Sequence, residues 1–118
     1  MRMAPPLTSS SFWILTVLAS GRRHGYDILR ETRTASEARV TLKVATLYAA
    51  LERLESDGSI RADGDEIVDG RARRYFVLTE HGASRLAAEA RAMAQAAKAA
   101  QRHLSTRPAF LATAAVAP

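Results

Sequence analysis

The chain has 118 residues, 47% of them hydrophobic, with no cysteine and a net charge of +5 from 17 Lys and Arg against 12 Asp and Glu. That length suits one domain with tails; the missing cysteines exclude disulfides and thiolate metal sites and agree with a reducing cytoplasm. The apolar run from Phe12 to Ala19 is too short to cross a membrane or to serve as a cleaved leader, so a soluble cytoplasmic protein is expected.

Residues 1–7, with Pro5 and Pro6, read as a flexible lead. Thr8 or Ser9 can cap a first helix that runs to about Ser20 and ends at Gly21, with Phe12, Leu15, Leu18 and Ala19 on one side. Arg22 and Arg23 then form an exposed turn. His24-Gly25-Tyr26 opens a second helix to about Ala35, with Tyr26, Ile28 and Leu29 facing inward. Arg39–Leu42 is short and partly β-branched, which predicts an isolated strand-like segment. Leu47, Leu51 and Leu54 fall at i, i+4 and i+7, so residues 44–57 make a third helix with one apolar face. Val44 extends that face by a turn, and Gly58 is placed to take the left-handed conformation that ends it. The opposite face carries Ala45, Thr46, Ala49, Glu52, Arg53 and Ser56, small or hydroxylated in its first half, with Lys43 just before it.

Beyond Gly58 the pattern changes. Ser59–Ala62 and Arg73–Leu78 read as two short strands around a charged loop whose Gly64 and Gly70 mark turns. Three helices followed by a hairpin is the element order of a winged helix-turn-helix. Thr79 can cap a last helix from Glu80 to about His103, rich in Ala and therefore strongly helix-forming. Leu86, Ala90, Met93, Ala97, Ala100 and Leu104 follow one another at intervals of 4, 3, 4, 3 and 4. A 3.5-residue seam of this kind fits a partner helix, hence a dimer. The expected class is α+β, mainly α: a winged helix-turn-helix over 8–78, a long dimerisation helix over 79–104, and a tail over 105–118 that is disordered or docks a short helix at 109–117.

The chemistry of an enzyme is not visible. His24, His81 and His103 lack the spacing of helical metal ligands, and a turn hydrogen bond suits His24 better. Asp63, Asp65, Glu66 and Asp69 lack the spacing of a calcium loop and fit a charged hairpin. There is no nucleophile–base pattern or phosphate-cradling glycine loop, so neither catalysis, metal nor cofactor is expected. Fifteen of the cations are Arg, whose planar fork suits phosphate and guanine edges; the basic balance favours a polyanion partner.

Four stretches then coincide in order and separation: His24-Gly25-Tyr26-Asp27-Ile28, Thr46–Leu54, Asp57-Gly58-Ser59-Ile60, and Gly70–Gly82. Over residues 7–90 the chain resembles the PadR family of transcriptional regulators, in its compact form, departing from it at Lys43-Val44-Ala45. The resemblance implies a homodimer that binds a palindromic operator and represses a nearby promoter. Residues 44–57 would enter the major groove, with Lys43, Thr46, Ala49 and Arg53 at phosphates or base edges. Tyr48 at the helix flank either donates its hydroxyl to a phosphate or packs against the wing. Arg71, Arg73 and Arg74 would set the wing on the adjacent backbone, although strand alternation turns only one of the last two outward. Proteins of this kind also take small aromatic or drug-like effectors between the first and last helices, where Phe12 and Trp13 would line the pocket. The competing expectation is a winged helix that binds protein instead of DNA, since four acids balance four arginines across residues 61–74.

Overall fold

The computed structural model describes residues 6–109. Its elements are α1 (Ser9–Leu18), β1 (Arg23–His24), α2 (Gly25–Ala35), α3 (Val44–Ser56), β2 (Ile60–Val68), β3 (Arg71–Leu78) and α4 (Glu80–Ser105). The expected winged helix-turn-helix with a long last helix is what forms. The strands make one antiparallel sheet in the order β1-β3-β2. Residues 1–5 and 110–118 lie outside the described residues, and with them most of the expected lead and of the helix expected at 109–117.

Side-chain caps start three of the four helices. Thr8 Oγ1 accepts the Ser11 N–H, His24 Nδ1 that of Asp27, and Thr79 Oγ1 that of Gly82, each satisfying a donor the helix itself cannot. α3 is the exception: Lys43 occupies its N-cap with no side-chain hydrogen bond. At its other end the Gly58 N–H bonds Glu55 O and the Ser59 N–H bonds Leu54 O, with Gly58 at φ 81°. This is the left-handed helix stop expected of that glycine. α2 ends in the same pattern without a glycine, through Glu37 N–H to Thr34 O and Ala38 N–H to Arg33 O. Glu37 and Ala38 therefore stand at φ 54° and 65°, a region that strains a residue with a Cβ.

The core joins Ile14, Leu15, Val17 and Leu18 of α1 to Ile28 of α2, Leu47, Ala50, Leu51 and Leu54 of α3, Ile60 of β2 and Phe76 of β3. α1 packs against α2, α3, α4 and β3. Being covered on several sides, it buries Ile14 and Val17 as well as Leu15 and Leu18, while Phe12 is only partly buried and Ala19 is exposed.

Several local expectations are corrected. Arg22 and Arg23 do not form a plain turn: Arg23–His24 is the third strand, paired with Phe76 and Tyr75. Residues 39–42 form no strand, because Ser36 Oγ accepts the Val40 N–H and holds the chain in a loop. Tyr26 is 52% exposed rather than inward, since Gly25, Ile28 and Thr32 take the inner face of α2. Val44 is 60% exposed, because the first turn of α3 projects past the core. The hairpin is longer than the two runs suggested. Its strands continue to the pair Val68–Arg71, closed by Asp69 at φ 51° and Gly70 at φ 77°; Asp-Gly with both φ positive is a two-residue turn whose twist matches the strands. Gly64 marks a bulge, where the register shifts between Ala62 and Asp65.

α4 leaves the body of the protein. Of its residues only Gly82 is buried, and Leu86 packs partly on the core. Met93 and Leu104 stand 52% and 57% exposed, and Ala90, Ala97 and Ala100 are exposed too. A helix of 26 residues is about 39 Å long at 1.5 Å per residue, which accounts for a longest extent of 61 Å.

The contrast between Val44 and Leu47 is measurable. Leu47→Ala should lower unfolding free energy by about 2–5 kcal/mol through loss of buried contacts and a cavity, whereas Val44→Ala should change it by no more than about 0.5 kcal/mol. Urea titration followed by circular dichroism distinguishes them; similar losses would place Val44 in the core.

Candidate nucleic-acid interface

Burial of Leu47, Ala50, Leu51 and Leu54 turns the opposite side of α3 to solvent, so Lys43, Ala45, Thr46, Ala49, Glu52 and Arg53 are all exposed. Lys43, Thr46 and Ala49 lie together along the first two turns. The first N–H groups of α3 meet no side-chain cap, and the positive end of the helix dipole points the same way, a favourable surround for a phosphate. Arg53 stands apart from this group. It lies in the last turn, and its Nη2 donates to Ser11 Oγ of α1 at 3.3 Å.

Between α3 and β3 lies a cleft of about 350 Å³, walled by Gly25, Tyr26, Tyr48, Glu52, Arg73 and Arg74, with Leu51 and Phe76 at its floor. Tyr48 is half exposed, and its hydroxyl sits where a Cβ on residue 25 would come within 2.9 Å. Glycine at that position is therefore what lets the phenol lie across the start of α2. Tyr26 is flanked by two guanidinium groups, Arg30 and Arg73, each 5.5 Å from its ring centre, a distance at which a cation is attracted to the ring face. Arg74 is exposed, bonds Glu55 at 3.4 Å and lies over Phe76, whereas Arg73 is partly buried and its Nε has no hydrogen-bond partner. Alternation thus separates the two arginines in exposure, yet both border the cleft. Arg71 is exposed at the hairpin tip. The cleft was not read from the sequence, which turned Tyr26 inward; an aromatic two residues after a helix cap gives no sign of the side it takes.

Asp27, in the first turn of α2, bonds Arg23 at 3.0 Å and Arg30 at 2.8 Å. Burial opposes its charge, but these two partners outweigh it and hold its carboxyl below the usual carboxylate range.

A second network joins the end of α3 to the start of α4. Asp57 Oδ1 accepts from the Ser59 N–H at 3.1 Å and from its hydroxyl at 2.6 Å, while Arg85 Nη1 donates to Asp57 Oδ2 at 2.9 Å and to Ser59 Oγ at 2.8 Å. The Thr79 N–H bonds Ser59 O. A side chain on residue 82 would collide with that same carbonyl, so the approach of α4 depends on Gly82. The joint fixes the direction of α4 relative to α3.

Phe12 and Trp13 are partly buried on α1 with ring centres 5.5 Å apart, edge to face. Neither borders the cleft described above, nor a shallower one at the end of α2 lined by Arg30, Arg33, Thr34, Glu37 and Ala38. Among the described residues no three His, Asp or Glu side chains gather as a metal would need, and no helix is long and apolar enough to cross a membrane.

A model of the transcriptional regulator PadR-like family matches residues 14–88. The chain is 36% identical over 76 residues to transcriptional regulator Rv3488 of Mycobacterium tuberculosis, an overlap of 64% of this chain and 57% of that protein. It is 35% identical over 69 residues to an uncharacterised protein of Lysinibacillus sphaericus, across 58% of this chain and 63% of the other. It therefore spans less than two thirds of the length of these curated relatives. Among solved structures, a PadR family transcription regulator from Clostridium difficile R20291 superposes with a TM-score of 0.70 at 26% identity, covering 82% of this chain and 99% of that one. Bacillus subtilis PadR in complex with operator DNA superposes at 0.60 with 24% identity, covering 69% and 46%, a likeness of fold.

Asp57 yields a test by pH. Burial works against its ionised form, but the hydrogen bonds from Ser59 and the charge of Arg85 prevail, holding its pKa below the usual carboxylate value. A depressed folded-state pKa gives stability that is complete above the unfolded value, about 4, and is lost as pH falls through the folded one. Asp57→Asn should therefore lose less stability than the parent on acidification below about pH 4, as read by thermal unfolding across that range. Parallel curves would mean that Asp57 carries no charge in the joint.

Proposed function

The chain belongs to the PadR-like family of transcriptional regulators, and from that premise we propose that it binds operator DNA sequence-specifically as a homodimeric repressor. One observation carries the proposal: the exposed, uncapped first turns of α3 stand beside the cleft lined by Tyr48 and Arg73 and a hairpin tipped by Arg71. In this reading Lys43, Thr46 and Ala49 enter the major groove, the small residues allowing close approach. Tyr26, Tyr48 and Arg73 seat a backbone phosphate in the cleft. Arg71 and Arg74 follow the neighbouring backbone, which positions the domain without reading sequence. Arg53, held by Ser11, serves the flank of that contact rather than a base edge.

Dimerisation is assigned to α4 through Leu86, Ala90, Met93, Ala97, Ala100 and Leu104, because the last five expose an apolar stripe that no other described residue covers. Release of DNA is assigned to a small aromatic effector held beside Phe12 and Trp13, partly buried aromatic side chains on α1 that could stack on a flat ligand. Two α3 helices related by a two-fold axis should read half-sites about 34 Å apart or a multiple of it. Binding to protein alone remains the contrasting outcome, and salt separates the two, because counterion release makes DNA affinity fall steeply with salt.

The test is fluorescence anisotropy on a duplex selected by the protein from genomic fragments, beside a scrambled duplex, at two salt concentrations. Thr46→Ala should cost about 1–3 kcal/mol on the selected duplex with little effect on the scrambled one, while Arg71→Ala should weaken both by similar factors. Affinity that ignores salt, or a folded Lys43→Ala/Thr46→Ala variant that binds as the parent does, would remove α3 from the interface. Met93→Glu would place a charge in the dimer seam and should sediment as a monomer; a dimer that persists would move the interface elsewhere.

A further inference from the structure

Arg22 lies outside every group of residues assigned so far, yet it reaches across the whole sheet. It stands just before β1, with its guanidinium 3.8 Å from the centre of the Tyr75 ring on β3. Beyond that ring it meets β2. Nε donates to Asp63 Oδ2 at 2.9 Å and to the Asp63 carbonyl at 3.2 Å, Nη2 to the same carbonyl at 2.9 Å, and Nη1 to Glu66 Oε2 at 2.8 Å.

The place it grips is the irregular point of the hairpin. Pairing is interrupted between Ala62 and Asp65, and Gly64 stands there at φ +85° with the Arg22 Nη2 3.6 Å from where its Cβ would be. A bulge bends a strand and increases its twist, so the direction of everything beyond it depends on what holds the bulge. β1 pairs only with Tyr75 and Phe76. From Arg74 to the tip the hairpin is a two-stranded ribbon, which has little independent stability.

We propose that Arg22 is a positioning residue of the wing: it fixes the bulge to the body of the domain and so sets where Arg71 at the tip meets the DNA backbone. The inference rests on the DNA-binding reading above. An isolated exposed ion pair contributes little to stability. Here, however, one planar group engages a carbonyl, two carboxylates and a ring face at once, and such a constellation fixes geometry. Lysine could supply the charge but neither the fork nor the stacking plane. The Arg22 hydrogen bond holds the Glu66 carboxyl below the usual carboxylate range.

A double-mutant cycle on a fluorescein-labelled random-sequence duplex tests this, with R22K as the variant that keeps the charge. In the parent, R71A should weaken binding about tenfold, the size of one charge-assisted hydrogen bond. In the R22K background it should weaken binding less than about threefold, because a tip that is no longer aimed has less to lose. D63N/E66Q breaks the clamp from the other side with Arg22 in place and should shrink the R71A effect likewise, with circular dichroism verifying the fold of each variant. If R71A costs the same factor in the parent, in R22K and in D63N/E66Q, Arg22 does not position the wing. A parent that binds while R71A has no effect overturns the wing contact and this inference with it. A parent that binds no duplex at all overturns the DNA-binding reading itself.

Discussion

Leu47, Ala50, Leu51 and Leu54 are almost wholly removed from water in a core shared with Ile14, Leu15, Ile28 and Ile60, and that burial sets the rotation of α3 about its own axis. Each of these side chains is worth on the order of 1.5–3 kcal/mol when buried, alanine less, and turning the helix by a single residue would return most of them to solvent. What the outer face presents is a consequence. Lys43, Thr46 and Ala49 share the exposed side because they are not among the four, and the first turn carries no side-chain cap. A surface suited to a polyanion thus arises from the packing of the surface behind it.

The same helix is fixed at its far end by polar contacts instead of apolar ones. Gly58 turns the chain, Ser59 is fully buried, and Asp57 and Arg85 close the joint to α4. Because Arg85 bonds both Asp57 and Ser59, a movement of α4 must be felt at the last turn of α3. In a dimer built on α4, the joint would carry the separation of the two α3 helices. The hairpin shares the base of that joint through Ser59 and Thr79, and farther out it is held by Arg22 at its bulge.

Charge is distributed with the same economy. Asp27 takes Arg23 and Arg30, Asp63 takes Arg22 and Arg61, and Glu55 takes Arg74. The acids of the hairpin, which raised the prospect of a protein partner, are thus partly neutralised by arginines close by. Arg71 and Arg73 form no ion pair of this kind among the described residues, and they lie at the tip and in the cleft.

The sequence by itself determined the order of the four helices and the hairpin, the Leu47–Leu51–Leu54 face of α3, its glycine stop, the Thr79 cap and the spacing of the apolar residues along α4, since each depends on spacing within a few residues and on local hydrogen bonds. It determined the family as well, through four short stretches in register. Tertiary structure decided the rest. Tyr26 and Val44 are apolar enough to be buried, and only the positions of their neighbours leave them outside. Arg23–His24 has no strand pattern of its own and becomes a strand because β3 offers an unpaired edge. Arg53 looks free on a helical wheel and is drawn to Ser11 by the approach of α1. Arg22 meets Asp63 and Glu66 from more than forty residues away, across a bulge whose register no periodicity reveals. Local pattern fixes which residues share a face; the distances at which faces meet are set by packing between segments that the sequence keeps far apart.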